Sequence, residues 1–202
     1  MDEFQKRYEE HQERKKKQLQ DETGRFGKLN RKRTKEEFET FLSILYKRRS
    51  IRRFNDKEIT PLEMKFIDLA VVKTPSSCNR QAVYIKEVDP EIIERYLVGG
   101  KGWINNADKV ILIFADKDAY KSPNEKAFMP YLDGGHVGQS IYLMCEAIGI
   151  GACFVNPNIR EENKEDFNNI FNPNGDYFCG SFALGHYDKK PPEPQKRQTA
   201  KR

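Results

Sequence analysis

Between residues 131 and 148, small and apolar residues fall on nearly every side of a helical projection. Such a helix has no face to give to water, so it must be buried against several neighbours or against a second subunit. Gly149 and Gly151 punctuate its end, as glycines do where a helix stops. Around it, short β-rich runs predict strands at 83–88, 110–115, 152–156 and 178–185. Thr34 and Glu37 form a capping box and open a helix carrying Phe38, Leu42 and Leu45 at helical spacing. Thr60-Pro61, with Glu63 beyond, opens a second helix whose apolar face is Leu62, Phe66, Leu69 and Ala70. A short third helix follows Asp89-Pro90 with Ile92, Ile93, Tyr96 and Leu97, and another spans 160–170, capped by Asn158. Helices and strands mix without strict βαβ alternation, which predicts an α+β fold rather than a doubly wound sheet.

A chain of 202 residues suffices for one domain with a substantial core and is short for two. Its 37% of hydrophobic residues looks low because both ends are polar. Residues 1–33 read as a charged N-terminal extension, helix-prone as far as Gln20 and then broken by Gly24 and Gly27. Residues 34–202 read as the folded domain, with 189–194 extended because of its prolines. The longest apolar run, 110–115, has the length of a strand, not of a membrane span. The first residues lack a secretory segment, so the expected location is cytoplasmic. Cys78, Cys145, Cys153 and Cys179 are scattered, and with three histidines they predict reduced thiols and no metal site.

The net charge of +5 raises the question of nucleic acid. Much of it lies in Arg14-Lys15-Lys16-Lys17, Arg31-Lys32-Arg33, Lys196-Arg197 and Lys201-Arg202. The first cluster is interleaved with Glu9, Glu10 and Glu13 and has no aromatic platform beside it, so a solvated helix or tail is the better reading.

Chemistry concentrates in the run Arg48-Arg49-Ser50-Ile51-Arg52-Arg53-Phe54, between one helix end and the next helix start. Guanidinium forks and a hydroxyl together suit a phosphate or another anion. The competing explanation is a helix C-terminus decorated with cations, which needs only one or two of them. A second polar segment, Thr74-Pro75-Ser76-Ser77-Cys78-Asn79-Arg80-Gln81, could hydrogen-bond a heteroaromatic edge; taken alone it is an ordinary turn. Further on stand Asp133-Gly134-Gly135-His136-Val137-Gly138-Gln139 in the buried helix, then Gly149-Ile150-Gly151-Ala152-Cys153-Phe154. No Ser/His/Asp or Cys/His pattern for a protein nucleophile is present.

Taken jointly and in order, these segments resemble the nitroreductase family, whose members carry Arg-Arg-Ser-x-Arg-x-Phe, then Pro-Ser-x-x-Asn-x-Gln, then Asp-x-Gly in a long buried helix that enters a Gly-x-Gly-x-Cys strand. The resemblance runs from about residue 41 to 197. It implies a mostly antiparallel central sheet flanked by helices, and an interlocked homodimer with FMN at the subunit interface. It implies hydride transfer from NADH or NADPH, through the flavin, to a small electron-poor acceptor such as a nitroaromatic or quinone. Arg48, Arg49, Ser50 and Arg52 match positions around the flavin phosphate and pyrimidine edge, Arg52 being the candidate cation near N1 and the C2 carbonyl. Ser76, Ser77 and Asn79 match the loop reaching in from the partner chain. Lys196 and Arg197 match C-terminal basic residues on the phosphate, and Lys101 is a looser candidate for the pyrimidine side. Val155 and Asn156 are further cofactor-binding candidates. After Phe154-Val155, relatives carry a pair whose backbone N–H groups aim at flavin N5 and O4, and here that pair is Asn156-Pro157. Proline has no N–H to give, so either Asn156 supplies the bond alone or the loop is rearranged. His136 reads as a packing or interface residue, Phe128 and Tyr131 as core or pocket wall. Two other readings are a specialised branch of the same fold, such as flavin destruction or reductive dehalogenation, and a basic protein whose arginines hold nucleic acid.

Overall fold

In the computed structural model, which describes residues 34–192, the chain order is α1 (Lys35–Lys47), α2 (Pro61–Lys73), β1 (Val83–Val88), α3 (Pro90–Glu94), β2 (Lys109–Ala115), α4 (Pro123–Ile148), β3 (Gly151–Val155), α5 (Lys164–Phe171) and β4 (Tyr177–Gly185). The charged extension at 1–33 and the candidate residues Lys196 and Arg197 lie outside the described residues. The chain divides into two compact units that part between Leu42 and Ser43, inside α1. At the start of α1 the predicted box is present: Thr34 N–H donates to Glu37 Oε2 at 2.8 Å, and Glu37 N–H to Thr34 Oγ1 at 3.1 Å.

The four strands form one sheet in the order β1-β2-β4-β3, every neighbouring pair antiparallel. The fold is α+β, as the mixture of periodicities predicts. β2 lies in the interior of the sheet, and residues 110–115 are all fully buried. Its side chains alternate between two cores, as the period of two requires. Ile111 and Ile113 pack with Ile67, Val137, Ile141 and Phe182, whereas Leu112 and Phe114 pack with Ile93, Tyr96, Leu97 and Phe167.

The long helix starts eight residues earlier than the apolar pattern suggests (Pro123 against 131). Ser122 and Glu125 make a capping box, Pro123 takes the first turn, and Pro130 sits inside the helix. Pro130 reads as a breaker in the sequence, and that conceals the two turns before it. Gly134 lets this helix close on β4: a Cβ there would lie 2.7 Å from Cys179 Sγ. Gly149 ends the helix in the left-handed region at φ 78°, which glycine adopts without strain.

Two expectations need correction. The side of α2 that meets the core carries Ile67 and Ala70, while Leu62, Phe66 and Leu69 are exposed along with Val72. The helix is apolar on two sides, and its spacing alone could not say which one faces the sheet. Asn158 caps no helix; residues 161–163 form a 3-10 turn and α5 begins only at Lys164. Asn158 instead donates its N–H to Asn156 Oδ1 at 3.1 Å, a local turn that competes with capping.

Candidate functional site

The arginine run leaves α1 and lies along the outer edge of β3. Ser50 makes a parallel bridge with Ala152, and Ile51 N–H donates to the Ala152 carbonyl at 3.0 Å. Gly151 permits this close approach, because a Cβ there would meet Ile51 Cγ2 and the Gly185 carbonyl at 2.9 Å. Ile51 turns inward and is buried; Arg52 and Arg53 turn out. With Ser50, Lys189 and Lys190 they line a cleft of about 440 Å³ whose lining residues include no carboxylate.

The cations of the run divide by role. Arg49 folds back on the helix end, donating to the carbonyls of Tyr46 at 2.6 Å and Arg48 at 2.8 Å. It does what a C-terminal cation does for a helix dipole. Arg48 lies 4.7 Å above the Tyr142 ring and Arg52 5.8 Å from that of Trp103; both are cation–π distances. Lys190 is engaged by Glu146 and by the Lys47 carbonyl. Cys153, on the adjoining β3, is buried, its thiol pushed up by burial and pulled back by Arg52 and Arg48. Arg52, Arg53 and Lys189 are left to face the cleft.

The second segment is built by three left-handed residues, Cys78, Asn79 and Gln81, at φ 52–53°. Two anchors hold them there: Gln81 N–H donates to Ser76 Oγ at 2.8 Å, and Ser77 N–H to Asp133 Oδ1 at 2.9 Å. Asp133 is buried in α4 and also accepts from the Tyr120 hydroxyl at 2.9 Å. Arg80 donates to Ser77 Oγ at 3.0 Å and pairs with Glu125 at 2.7 Å. Asn79 remains exposed. Ser76 lines a separate, smaller cleft of about 190 Å³ with Asp133 and Val137, so within one chain this loop and the arginine run do not share a cavity.

On the far side, Val155 closes β3 and is buried, whereas Asn156 is exposed. Asn156 spends its side-chain oxygen on the turn around Pro157, leaving its own as the one backbone N–H of that pair. Val155 also packs tightly on the Gly99 turn, where a Cβ would lie 2.9 Å from its Cγ1. Lys101 is exposed in the same turn. His136 and Tyr131 are exposed on α4, as is Phe128, so neither aromatic is core. Only residues 116–122 join β2 to α4, too few for a lid of their own.

Three residues here escape the sequence reading: Tyr142, Asp133 as an anchor, and Trp103. A tyrosine in an apolar helix carries no mark of a polar contact 92 residues away, and the tryptophan is next to nothing resembling a motif. Asp133 was visible as part of a pattern, but its partner Ser77 could be matched to it only through the fold.

Residues 97–186 match the model of the nitroreductase family. A protein of Archaeoglobus fulgidus with the provisional name NADH dehydrogenase/NAD(P)H nitroreductase is 29% identical over 129 residues, covering 61% of this chain and 71% of its own. The nitroreductase family protein of Streptococcus pneumoniae superposes with a TM-score of 0.66 at 18% identity, over 79% of this chain and 96% of its own. A provisionally named nitroreductase of Desulfovibrio desulfuricans, solved in complex with FMN, gives 0.65 at 20% identity, over 78% and 91%. At such identities the two structures speak for the fold.

Proposed function

Since residues 97–186 match the nitroreductase-family model, we propose that this chain is an FMN-dependent oxidoreductase of that family which moves reducing equivalents from NADH or NADPH to a small electron-poor acceptor of nitroaromatic or quinone type. The observation that carries the reading is the cleft of Ser50, Arg52, Arg53 and Lys189, which offers one hydroxyl and three cations to an anion and no carboxylate against it. A phosphate monoester fits that donor set. FMN, when bound, supplies a ring that accepts and returns a hydride.

The chain's own residues bind, orient and supply a field. Ser50, Arg53 and Lys189 hold the phosphate end, joined in this proposal by Arg48 and by Lys196 and Arg197. Arg52 stands as a pre-positioned guanidinium for negative charge on the pyrimidine edge; such a charge stabilises without having to reorganise. Arg49 acts one step back, by fixing the helix end from which the run departs. Val155 forms an apolar wall, and the Asn156 N–H is the donor available to the other edge of the ring. In this proposal Ser76, Ser77 and Asn79, which stand apart from the cleft of Arg52, come to the flavin from a second copy in a homodimer. Overall two electrons and a proton leave the nicotinamide, and a second proton comes from water; no protein nucleophile is needed.

The protein should purify yellow or take up FMN when it is supplied, and anaerobic NADH or NADPH should bleach the flavin band. A colourless protein that rejects FMN and binds DNA with a steep salt dependence would overturn the proposal.

A further inference from the structure

Tyr142 lies in the last two turns of α4 and touches three parts of the candidate site. Its hydroxyl oxygen is 2.8 Å from the Phe154 amide nitrogen and 3.2 Å from Ser50 Oγ. Its ring carries the Arg48 guanidinium at 4.7 Å. The same ring stands edge-on against Phe182, with centroids 4.7 Å apart and an interplanar angle of 80°, so its orientation is fixed from below. Resting on the FMN reading above, we infer that Tyr142 is a positioning residue for the flavin phosphate: it sets the direction in which the Ser50 hydroxyl donates, and it seats Arg48 beside it.

The direction follows from counting protons. An amide N–H can only donate, so the Tyr142 oxygen accepts from Phe154. The phenol has a single proton of its own, and Ser50 Oγ is the acceptor within reach. If Ser50 donated to Tyr142 instead, the phenol oxygen would accept twice and the phenol proton would have no acceptor among the hydrogen bonds of the described residues. With the Tyr142 proton directed at Ser50 Oγ, the Ser50 hydrogen is left to turn to the Cys153 sulfur beside it or to the cleft, where an anion is the stronger acceptor. The backbone of Ser50 is already pinned through Ile51 to Ala152, leaving its hydroxyl rotor as the one freedom to settle. An anion in the cleft then ends a chain running in one sense, from Phe154 N–H to the Tyr142 hydroxyl, to the Ser50 hydroxyl, to phosphate oxygen. Each bond in such a chain polarises the next.

Tyr142→Phe tests this, because it keeps the ring under Arg48 and removes only the hydroxyl. Dissociation constants for FMN and for riboflavin, which has the same ring system and no phosphate, are read from flavin fluorescence on the apoprotein, with circular dichroism and thermal melting alongside. The expected result is FMN binding weakened about ten- to a hundredfold, the size of one hydrogen bond to a charged group, with riboflavin binding unchanged. Ser50→Ala should lose as much, and the double variant Tyr142→Phe/Ser50→Ala should be no worse than Ser50→Ala. Equal losses for both flavins, no loss for either, or additive losses in the double variant would each overturn the inference. A wild-type chain that binds neither flavin would overturn the FMN reading itself, and this inference with it.

Discussion

Gly151 shows how much a single position can control. Its missing Cβ leaves room for Ile51, Tyr187 and the Gly185 carbonyl at once, all within 2.9 Å of where that carbon would sit. The Ser50–Ala152 bridge depends on that room, and with it the placement of the cleft. Gly151→Ala should therefore cost about 1–3 kcal/mol, the usual penalty for overpacking a filled core, read as a lower urea midpoint. It should also weaken FMN uptake, because the run would be pushed off the strand edge. An unchanged midpoint would mean that the edge can give way and that Ser50 is placed by something else. At this scale the sequence was informative about residue type and silent about direction. That Arg48, Arg49 and Arg52 form a cationic cluster is plain from their order. That Arg49 turns back to a helix end while Arg52 faces the cleft depends on the approach of a strand about 100 residues away in the chain.

Among the elements, α2 links the core to the Ser76 loop, and its capping box sets where it begins. Thr60 donates its N–H and hydroxyl to Glu63 Oε2 at 2.7 and 2.8 Å. The Thr60 backbone bond holds the Glu63 carboxyl below its ordinary value of 4.5, against the opposing effect of burial, with smaller help from the Thr60 hydroxyl and from His186. A carboxyl lowered in the folded state contributes stability that is present above its unfolded pKa and lost as the pH falls through the folded one. The urea midpoint should thus drop more steeply below about pH 4.5 in wild type than in Glu63→Gln, which keeps the box but does not titrate. The difference should amount to about 0.5–1 kcal/mol, the scale of a helix cap. Parallel profiles from pH 6 to 3 would refute this assignment. Capping boxes such as Thr34–Glu37 and Thr60–Glu63 were legible from spacing because their chemistry is local. The start of α4 was not, since Pro130 is a breaker by rule and survives inside a helix only because tertiary packing outweighs its cost.

In the molecule as a whole, α2 presents Leu62, Phe66, Leu69 and Val72 to the outside, Val72 being 63% exposed, and α4 presents Phe128, Tyr131 and Leu132. Isolated apolar residues on a surface need no explanation, but a helical stripe repeated on a second helix does. The proposed homodimer would cover it and bring the Ser76–Asn79 loop of one copy to the arginines of the other. Phe66→Glu/Leu69→Glu should then yield a folded monomer by light scattering that no longer retains FMN. A variant that stays dimeric and yellow would show that this stripe serves some other purpose. The same stripe is why the buried side of α2 could not be chosen from sequence: two apolar faces give one periodicity, and only the sheet distinguishes them.

The four thiols are partitioned by the fold. Cys145, Cys153 and Cys179 are buried, and Cys78 is the exposed one, carried on the left-handed turn between Ser76 and Gln81. Burial pushes Cys145 and Cys179 up to about 12, which removes them further from reaction, since only the thiolate attacks. On the single chain an alkylating label is thereby addressed to one atom. A fluorophore or spin probe can be hung on this loop with no substitution made elsewhere, and the wild-type chain can itself be used to follow what happens around the loop.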